Sequence, residues 1–119
     1  MPFVQLTRES VAAGDDAHAP HAMRVTVPAG ATPHEVLEEI NRLRYLPRVA
    51  GGKATWVAGD PAPLAVLAQQ WPEAIILPAG AASAGLPLAL HFRYLGQDDP
   101  AKVVAALSAR EQQPAARVP

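Results

Sequence analysis

Strand-like and helix-like hydrophobic periods alternate along this chain of 119 residues, and this alternation restricts the fold more than any other feature. Apolar residues at every second position are typical of a strand with one buried face. A short unbroken apolar run is typical of a central strand that is buried on both faces. Alternating segments and one unbroken run, AIIL, predict strands at 3–6, 23–27, 53–58, 74–77 and 88–95.

Three further segments carry the signals of helices. The first begins at Thr32-Pro33-His34-Glu35, which offers a capping residue, a proline at the first helical position and the glutamate of a capping box. The second is predicted at 60–71, because Asp60-Pro61 can start a helix and Pro72 ends it. The third follows Asp98-Asp99-Pro100 and carries apolar residues at helical spacing.

These elements predict one α/β (α+β) domain. Their order along the chain is ββαβαββα, which favours a single mixed sheet of about five strands with the helices packed on it. The domain is expected to span 1–111, with an irregular loop at 11–22 that follows neither period. The segment 112–119 has little to bury and is expected to be a disordered tail.

Composition and charge exclude several classes of protein. Half of the residues are apolar and none is cysteine, so a core is expected, but no disulfide framework and no thiolate chemistry. The net charge of −1 argues against nucleic acid as a partner. No segment has the pattern of a secretory signal or a membrane span, which predicts a cytoplasmic protein without a membrane partner. Arginine supplies most of the positive charge, a usage that indicates a bacterial origin.

The stretch VAGGKAT, at 49–55, resembles a phosphate-binding loop only in part. Such a loop has the pattern GxxxxGK[ST] between a strand and a helix. Here Pro47 stands at the position of the first glycine and Ala54 at the position of the hydroxyl residue. The stretch also lies between a predicted helix and a predicted strand, which is the reverse order. We therefore predict that Gly51 and Gly52 form a turn with positive φ.

Cationic residues are nevertheless concentrated around this turn. A positive cluster beside glycine N–H groups suits an anion or an acidic protein surface, and a tyrosine between arginines suits an interface. The alternative is that arginines simply complement the negative end of the helix dipole. The candidate interaction or anion-binding residues are Arg42, Arg44, Tyr45, Arg48, Gly51, Gly52 and Lys53.

Three other groups are weaker candidates. The less apolar face of the strand at 88–95 carries His91 and Arg93, and Arg24 shares that face if the strand at 23–27 lies alongside. A second group, Asp15, Asp16, His18 and His21, has the ligand types of a metal site but no rigid scaffold. Ser83 lacks the strand-to-helix context of a nucleophile elbow.

We therefore expect no cofactor, no metal and, on balance, no enzymatic activity. The leading hypothesis is a non-catalytic module that contacts a protein partner or a second copy of itself through residues 42–53. The alternative is a protein that binds, or acts on, a small anionic or phosphate-bearing ligand through the same residues. A concave pocket at these residues would favour the ligand, and a flat surface would favour the partner.

Overall fold

The computed structural model describes residues 3–59, 62–81 and 89–112. A 3-10 helix at Ala13–His18 follows the first strand. In chain order the strands and α-helices are β1 (Phe3–Arg8), β2 (Met23–Thr26), α1 (Pro33–Arg42), β3 (Thr55–Ala58), β4 (Ala65–Ala68), β5 (Ile75–Ile76), α2 (Pro78–Ala81), β6 (Ala89–Tyr94) and α3 (Pro100–Gln112).

The described strands form one mixed sheet in the order β2-β1-β6-β3-β4-β5. Strands β1 and β6 are parallel, and every other neighbouring pair is antiparallel. The prediction of a mixed α/β sheet with packed helices is confirmed, but the sheet has six strands rather than about five. The predicted order of elements is also wrong, because the chain forms an additional strand where a helix was expected.

That additional strand is β4. It pairs with β3, with Ala58 opposite Ala65 and Thr55 opposite Ala68, in place of the helix predicted at 60–71. Its residues Ala65, Val66 and Leu67 are all buried, so both faces of the strand are covered. A short apolar run of this kind fits the period of either a helix or a doubly buried strand. Pairing with β3 decides between them, and local sequence cannot.

The segment AIIL was predicted to be a central strand buried on both faces, and this prediction is wrong. Only Ile75 and Ile76 form the strand β5, which lies at the edge of the sheet rather than in its centre. Ile75 is 43% exposed. By contrast, β6 behaves as its alternation predicted, because Leu90 and Phe92 are buried while Arg93 is exposed.

Two hydrophobic cores lie on opposite faces of this sheet. Helix α1 packs its Val36, Leu37 and Ile40 against the larger core, which also contains Trp56 and Leu67. The smaller core consists of Val57, Val66 and Leu77, and side chains of α3 pack against it. Neighbouring residues along a strand point to opposite faces, so Trp56 and Val57 divide the two cores. Helices α1 and α3 therefore cover different faces.

The start of α1 is the predicted capping box. The Glu35 N–H donates to the Thr32 hydroxyl oxygen at 3.1 Å, and the Thr32 N–H donates to the Glu35 carboxylate at 2.8 Å. The bonds that Thr32 donates to the carboxylate lower the pKa of Glu35. The capping box also satisfies N–H groups that the start of a helix leaves without partners.

Candidate ligand-binding cleft

Helix α1 ends in a Schellman motif that turns the chain sharply. The Tyr45 N–H donates to the Ile40 carbonyl at 3.4 Å, and the Arg44 N–H donates to the Asn41 carbonyl at 3.0 Å. Arg44 occupies the left-handed position of this motif, with φ +57°. That position is usually glycine, because a side chain there costs roughly 1–2 kcal/mol. The turn directs the chain from α1 into the loop at 46–50.

A cleft of 480 Å³ lies at this end of α1. Its deepest residues are apolar, since Trp56 and Leu67 are buried, whereas Asn41, Arg44 and Arg48 are exposed at its mouth. The complete lining is Asn41, Arg44, Leu46, Pro47, Arg48, Trp56, Leu67, Ala68, Gln69, Trp71 and Pro72.

One wall of the cleft is held in place by Gln69. Its side-chain oxygen accepts from the Val49 N–H at 2.9 Å, and its side-chain N–H₂ donates to the Val49 carbonyl at 3.4 Å. The Gly52 N–H bonds the same carbonyl at 3.3 Å. Because β4 precedes Gln69 directly, these bonds attach the arginine-bearing loop to the sheet.

The cations near the cleft differ in what they contact. Arg42 lies outside the lining and donates through Nε to Glu39 at 2.9 Å, which lowers the pKa of that carboxyl. Within the described residues, no ion pair involves Arg44, Arg48 or Lys53. Of these three, only Arg44 and Arg48 line the cleft.

The structure places the remaining predicted residues elsewhere. Gly51 and Gly52 have φ of +94° and +74°, which confirms the predicted turn, and Lys53 is exposed beside them. Tyr45 is partly buried rather than exposed: its ring meets Phe92 edge-on and its hydroxyl donates to the His21 carbonyl. Burial raises the pKa of Tyr45 to about 12. The sequence did not predict that Tyr45 is partly buried, because it does not show that the loop at 11–22 contacts this side chain.

Several lining residues were not anticipated. Gln69 and Trp71 fall within the helix predicted at 60–71, but both follow β4, a strand that local sequence did not predict. Trp71 lines the cleft and also packs against the smaller core. Pro47 and Pro72 also line the cleft. As helix breakers, they are a local sign that elements end nearby, but they do not show that these ends meet.

The loop at 11–22 forms a paired polar cluster rather than an open ligand set. Asp15 accepts from Arg8 at 2.7 and 3.2 Å and from the Val11 N–H at 3.0 Å. The Arg8 guanidinium beside Asp15 holds the pKa of that carboxyl well below its usual range. Ser10 Oγ lies 3.0 Å from His21 Nε2.

Among the described side chains of this cluster, Ser10, Asp15 and His21 do not have the geometry of a catalytic triad. Asp15 lies 3.7 Å from His21 Nε2, the same nitrogen that Ser10 contacts. In a triad the carboxylate and the hydroxyl contact different ring nitrogens. A metal would also compete with Arg8 for Asp15. The side chains of Asp16 and His18 lie outside the described part of the structure.

The second candidate face joins residues of three neighbouring strands. Arg24 lies opposite Gln5, and His91 lies opposite Thr7, so β1 separates β2 from β6. Arg24 and His91 share a face, although their strands are not neighbours as we expected. His91 Nδ1 lies 2.8 Å from Thr7 Oγ1, and Arg93 is exposed. Register places this face opposite the one that carries Trp56 and Leu67.

A surface cluster consists of His34 and Glu38 on α1 and Glu73 from the segment before β5. His34 Nε2 lies 3.4 Å from Glu73 and 3.9 Å from Glu38. All three side chains are at least 40% exposed, as is usual for acidic residues on a protein surface. Ser83 lies outside the described residues, as do 60–61 and 113–119.

Comparisons with known proteins add no functional information. The chain was compared with protein-family models, with curated proteins and with solved structures, and it matches none of them. Among the described residues, no helix has both the length and the apolar character that a membrane crossing requires. The cleft at the end of α1 combines a cavity with two exposed arginines, and the functional hypothesis rests on this combination.

Proposed function

We propose that the cleft binds a small molecule carrying a carboxylate or phosphate group, which Arg44 and Arg48 hold. The observation that carries this proposal is the position of both arginines at the mouth of a concave, apolar-based cavity. Its 480 Å³ lies within the range of roughly 300–1,000 Å³ that is usual for ligand sites. A guanidinium pairs with carboxylate or phosphate through two parallel hydrogen bonds.

The backbone at Arg44 supports the same conclusion. Glycine would occupy its left-handed position without strain, so the arginine side chain is present at a cost to stability. Residues held in such conformations concentrate at ligand sites. A role in folding does not explain Arg44, because its side chain is exposed and makes no ion pair within the described residues.

The lining favours binding over catalysis. Among the described residues that line the cleft there is no histidine, carboxylate, lysine or hydroxyl side chain. General acid–base and nucleophilic catalysis both require such groups. The function is therefore capture of an anionic ligand rather than its chemical conversion.

Substitution of the two arginines tests the proposal. Acetate and inorganic phosphate are titrated into labelled protein, with backbone amide shifts as the readout. Arg44→Gly and Arg48→Gln should each weaken binding by about tenfold or more, because each removes a charge-assisted contact. Lys53→Gln is the matched control, since Lys53 is an equally exposed cation outside the cleft, and it should leave affinity unchanged.

Two results would contradict the proposal. One is the absence of shifts in the amides of 41–49 with both anions. The other is an equal loss of affinity in Lys53→Gln and in the arginine variants. Arg44→Gly is informative because it should raise the free energy of unfolding by about 1 kcal/mol while it weakens binding. A folding defect cannot produce that combination.

A protein contact at the same surface is the second candidate. Leu43 is 37% exposed and adjoins Arg42 and Arg44, which places an apolar side chain within a basic surface. Such surfaces can anchor partners. Light scattering across a range of concentrations tests self-association: Leu43→Ser should shift a dimer to monomer, and a wild-type monomer at every concentration would exclude this version.

A further inference from the structure

We propose that the ligand of this cleft is an acid with a single acidic group and a flat, aromatic body, which stacks on Trp71 while the two arginines hold the acidic group. This inference rests on the proposed function and adds the chemical class of the ligand. It follows from how polarity changes with depth in the cleft, from the number of charges at its mouth and from the packing of Trp71.

Polar groups are confined to the mouth of the cleft. Asn41, Arg44 and Arg48 are exposed, whereas Trp56 and Leu67 at its base are buried. The other amide in the lining, Gln69, already bonds both backbone groups of Val49. A ligand that fills the cleft therefore places its polar end at the arginines and an apolar body inside. Inorganic phosphate alone would leave the apolar walls without a partner.

The number of cations limits the charge of the ligand. Two guanidinium groups match one carboxylate or one phosphate group. Polyphosphate sites add a row of free backbone N–H groups and a lysine. Here the Gly52 N–H is bonded to the Val49 carbonyl, and Lys53 lies outside the lining. A nucleoside triphosphate therefore fits this cleft poorly, and a single acidic group fits it well.

Trp71 supplies the aromatic surface. It is half-buried, and it packs against the smaller core on one side while it lines the cleft on the other. The backbone N–H of Trp71 donates to the Ala68 carbonyl at 3.0 Å, and this bond closes the turn after β4. A ring that already packs against a core on one side loses little freedom when a second ring stacks on its other side. Trp56 cannot take this role, because it is 2% exposed and packs on Tyr94.

A series of acids at constant charge tests the inference. Acetate, cyclohexanecarboxylate, benzoate and 1-naphthoate are titrated into labelled full-length protein, with inorganic phosphate alongside. The two tryptophan indole N–H resonances report the site, and Trp71→Phe assigns them. We expect affinity to rise along the series, by about tenfold or more from acetate to 1-naphthoate, because ring burial and stacking add to the ionic contact.

Paired substitutions separate stacking from folding. Trp71→Leu should keep apolar volume but remove the preference for benzoate over cyclohexanecarboxylate, whereas Trp71→Phe should retain most of it. Thermal unfolding identifies any variant that fails to fold, and Trp71→Phe then carries the test. The movement of the Trp71 resonance, with Trp56 little changed, should accompany binding of 1-naphthoate.

The failure of this inference differs from the failure of the proposed function. Equal affinity for acetate and 1-naphthoate, still lost in Arg44→Gly, would overturn the aromatic class and leave anion binding intact. Binding of 1-naphthoate that Arg44→Gly does not weaken would overturn both, since the acid would then contribute nothing. No binding by any of the acids or by phosphate would also overturn both.

Discussion

The two arginine-containing regions near Tyr45 differ in how their charge is used. Arg8 is about nine-tenths buried, its charge is matched by Asp15, and its guanidinium lies over the Tyr45 ring. Arg44, one residue before that tyrosine, is exposed and has no acidic partner within the described residues. Buried charge has to be neutralised to be tolerated, whereas exposed charge at a cleft remains available. The first region contributes to the stability of the fold, and the second is the one that we propose for ligand binding.

Removal of Arg8 should produce the largest change in stability. Arg8→Ala is expected to lower the free energy of unfolding by about 3 kcal/mol, because truncation of a buried ion-pair member also leaves its partner without compensation. Urea denaturation measures the change. Arg44→Ala is the matched control and should change stability by no more than about 0.5 kcal/mol. Equal effects at Arg8 and Arg44 would remove the distinction between the two regions.

Acid should reveal the same distinction through Asp15. Its pKa in the folded protein is lowered by Arg8, so its contribution to stability is complete above the unfolded value of roughly 3.9. That contribution is lost as the pH falls from there toward the folded pKa. The wild type should therefore lose stability steeply below about pH 4. Asp15→Asn should be less stable at pH 7 but should show a shallower decline in acid.

Thermal unfolding at a series of pH values checks this prediction. Parallel declines for the wild type and Asp15→Asn would show that the pair with Arg8 does not stabilise the fold. Because Arg44 and Arg48 have no carboxylate partner among the described residues, their substitution should not alter the slope below pH 4.

Loosening the cleft wall should have a smaller effect on stability than removal of Arg8 and a direct effect on amide exchange. Gln69→Ala removes two hydrogen bonds to Val49, and we expect it to lower the free energy of unfolding by about 1 kcal/mol. Amide exchange at Val49 should accelerate. Gln70→Ala, which affects a longer bond to the Ala54 N–H, is the control. Unchanged exchange at Val49 would show that Gln69 does not fix the wall.

Local chemistry predicted those elements whose hydrogen bonds lie within a few residues. The capping box of α1 joins Thr32 and Glu35, and the turn at Gly51-Gly52 needs only positive φ. The alternation in β6 likewise follows from one buried face. The strand β4 was missed because its partner β3 and the two cores that cover it come from other parts of the chain.

The same reasoning explains which parts of the candidate site were anticipated. The basic character of 42–53 is visible in the sequence, and two of its arginines line the cleft. Whether an arginine is paired depends on which residues fold beside it, as Arg42 with Glu39 illustrates. The base of the cleft needs β3 and β4 to pair, so Trp56, Leu67 and Trp71 could not be grouped from sequence.

The sequence by itself determined the mixed α/β class, the position of α1, the turn before β3 and the cation-rich composition of the segment between them. These features depend on periodicity, capping and backbone freedom, which act over a few residues. Tertiary structure alone decided that Tyr45 is covered, that Asp15 pairs with Arg8, and that Arg44 and Arg48 stand over an apolar cleft. Those outcomes depend on burial and on contacts between distant segments, and local sequence does not encode which distant segments will meet.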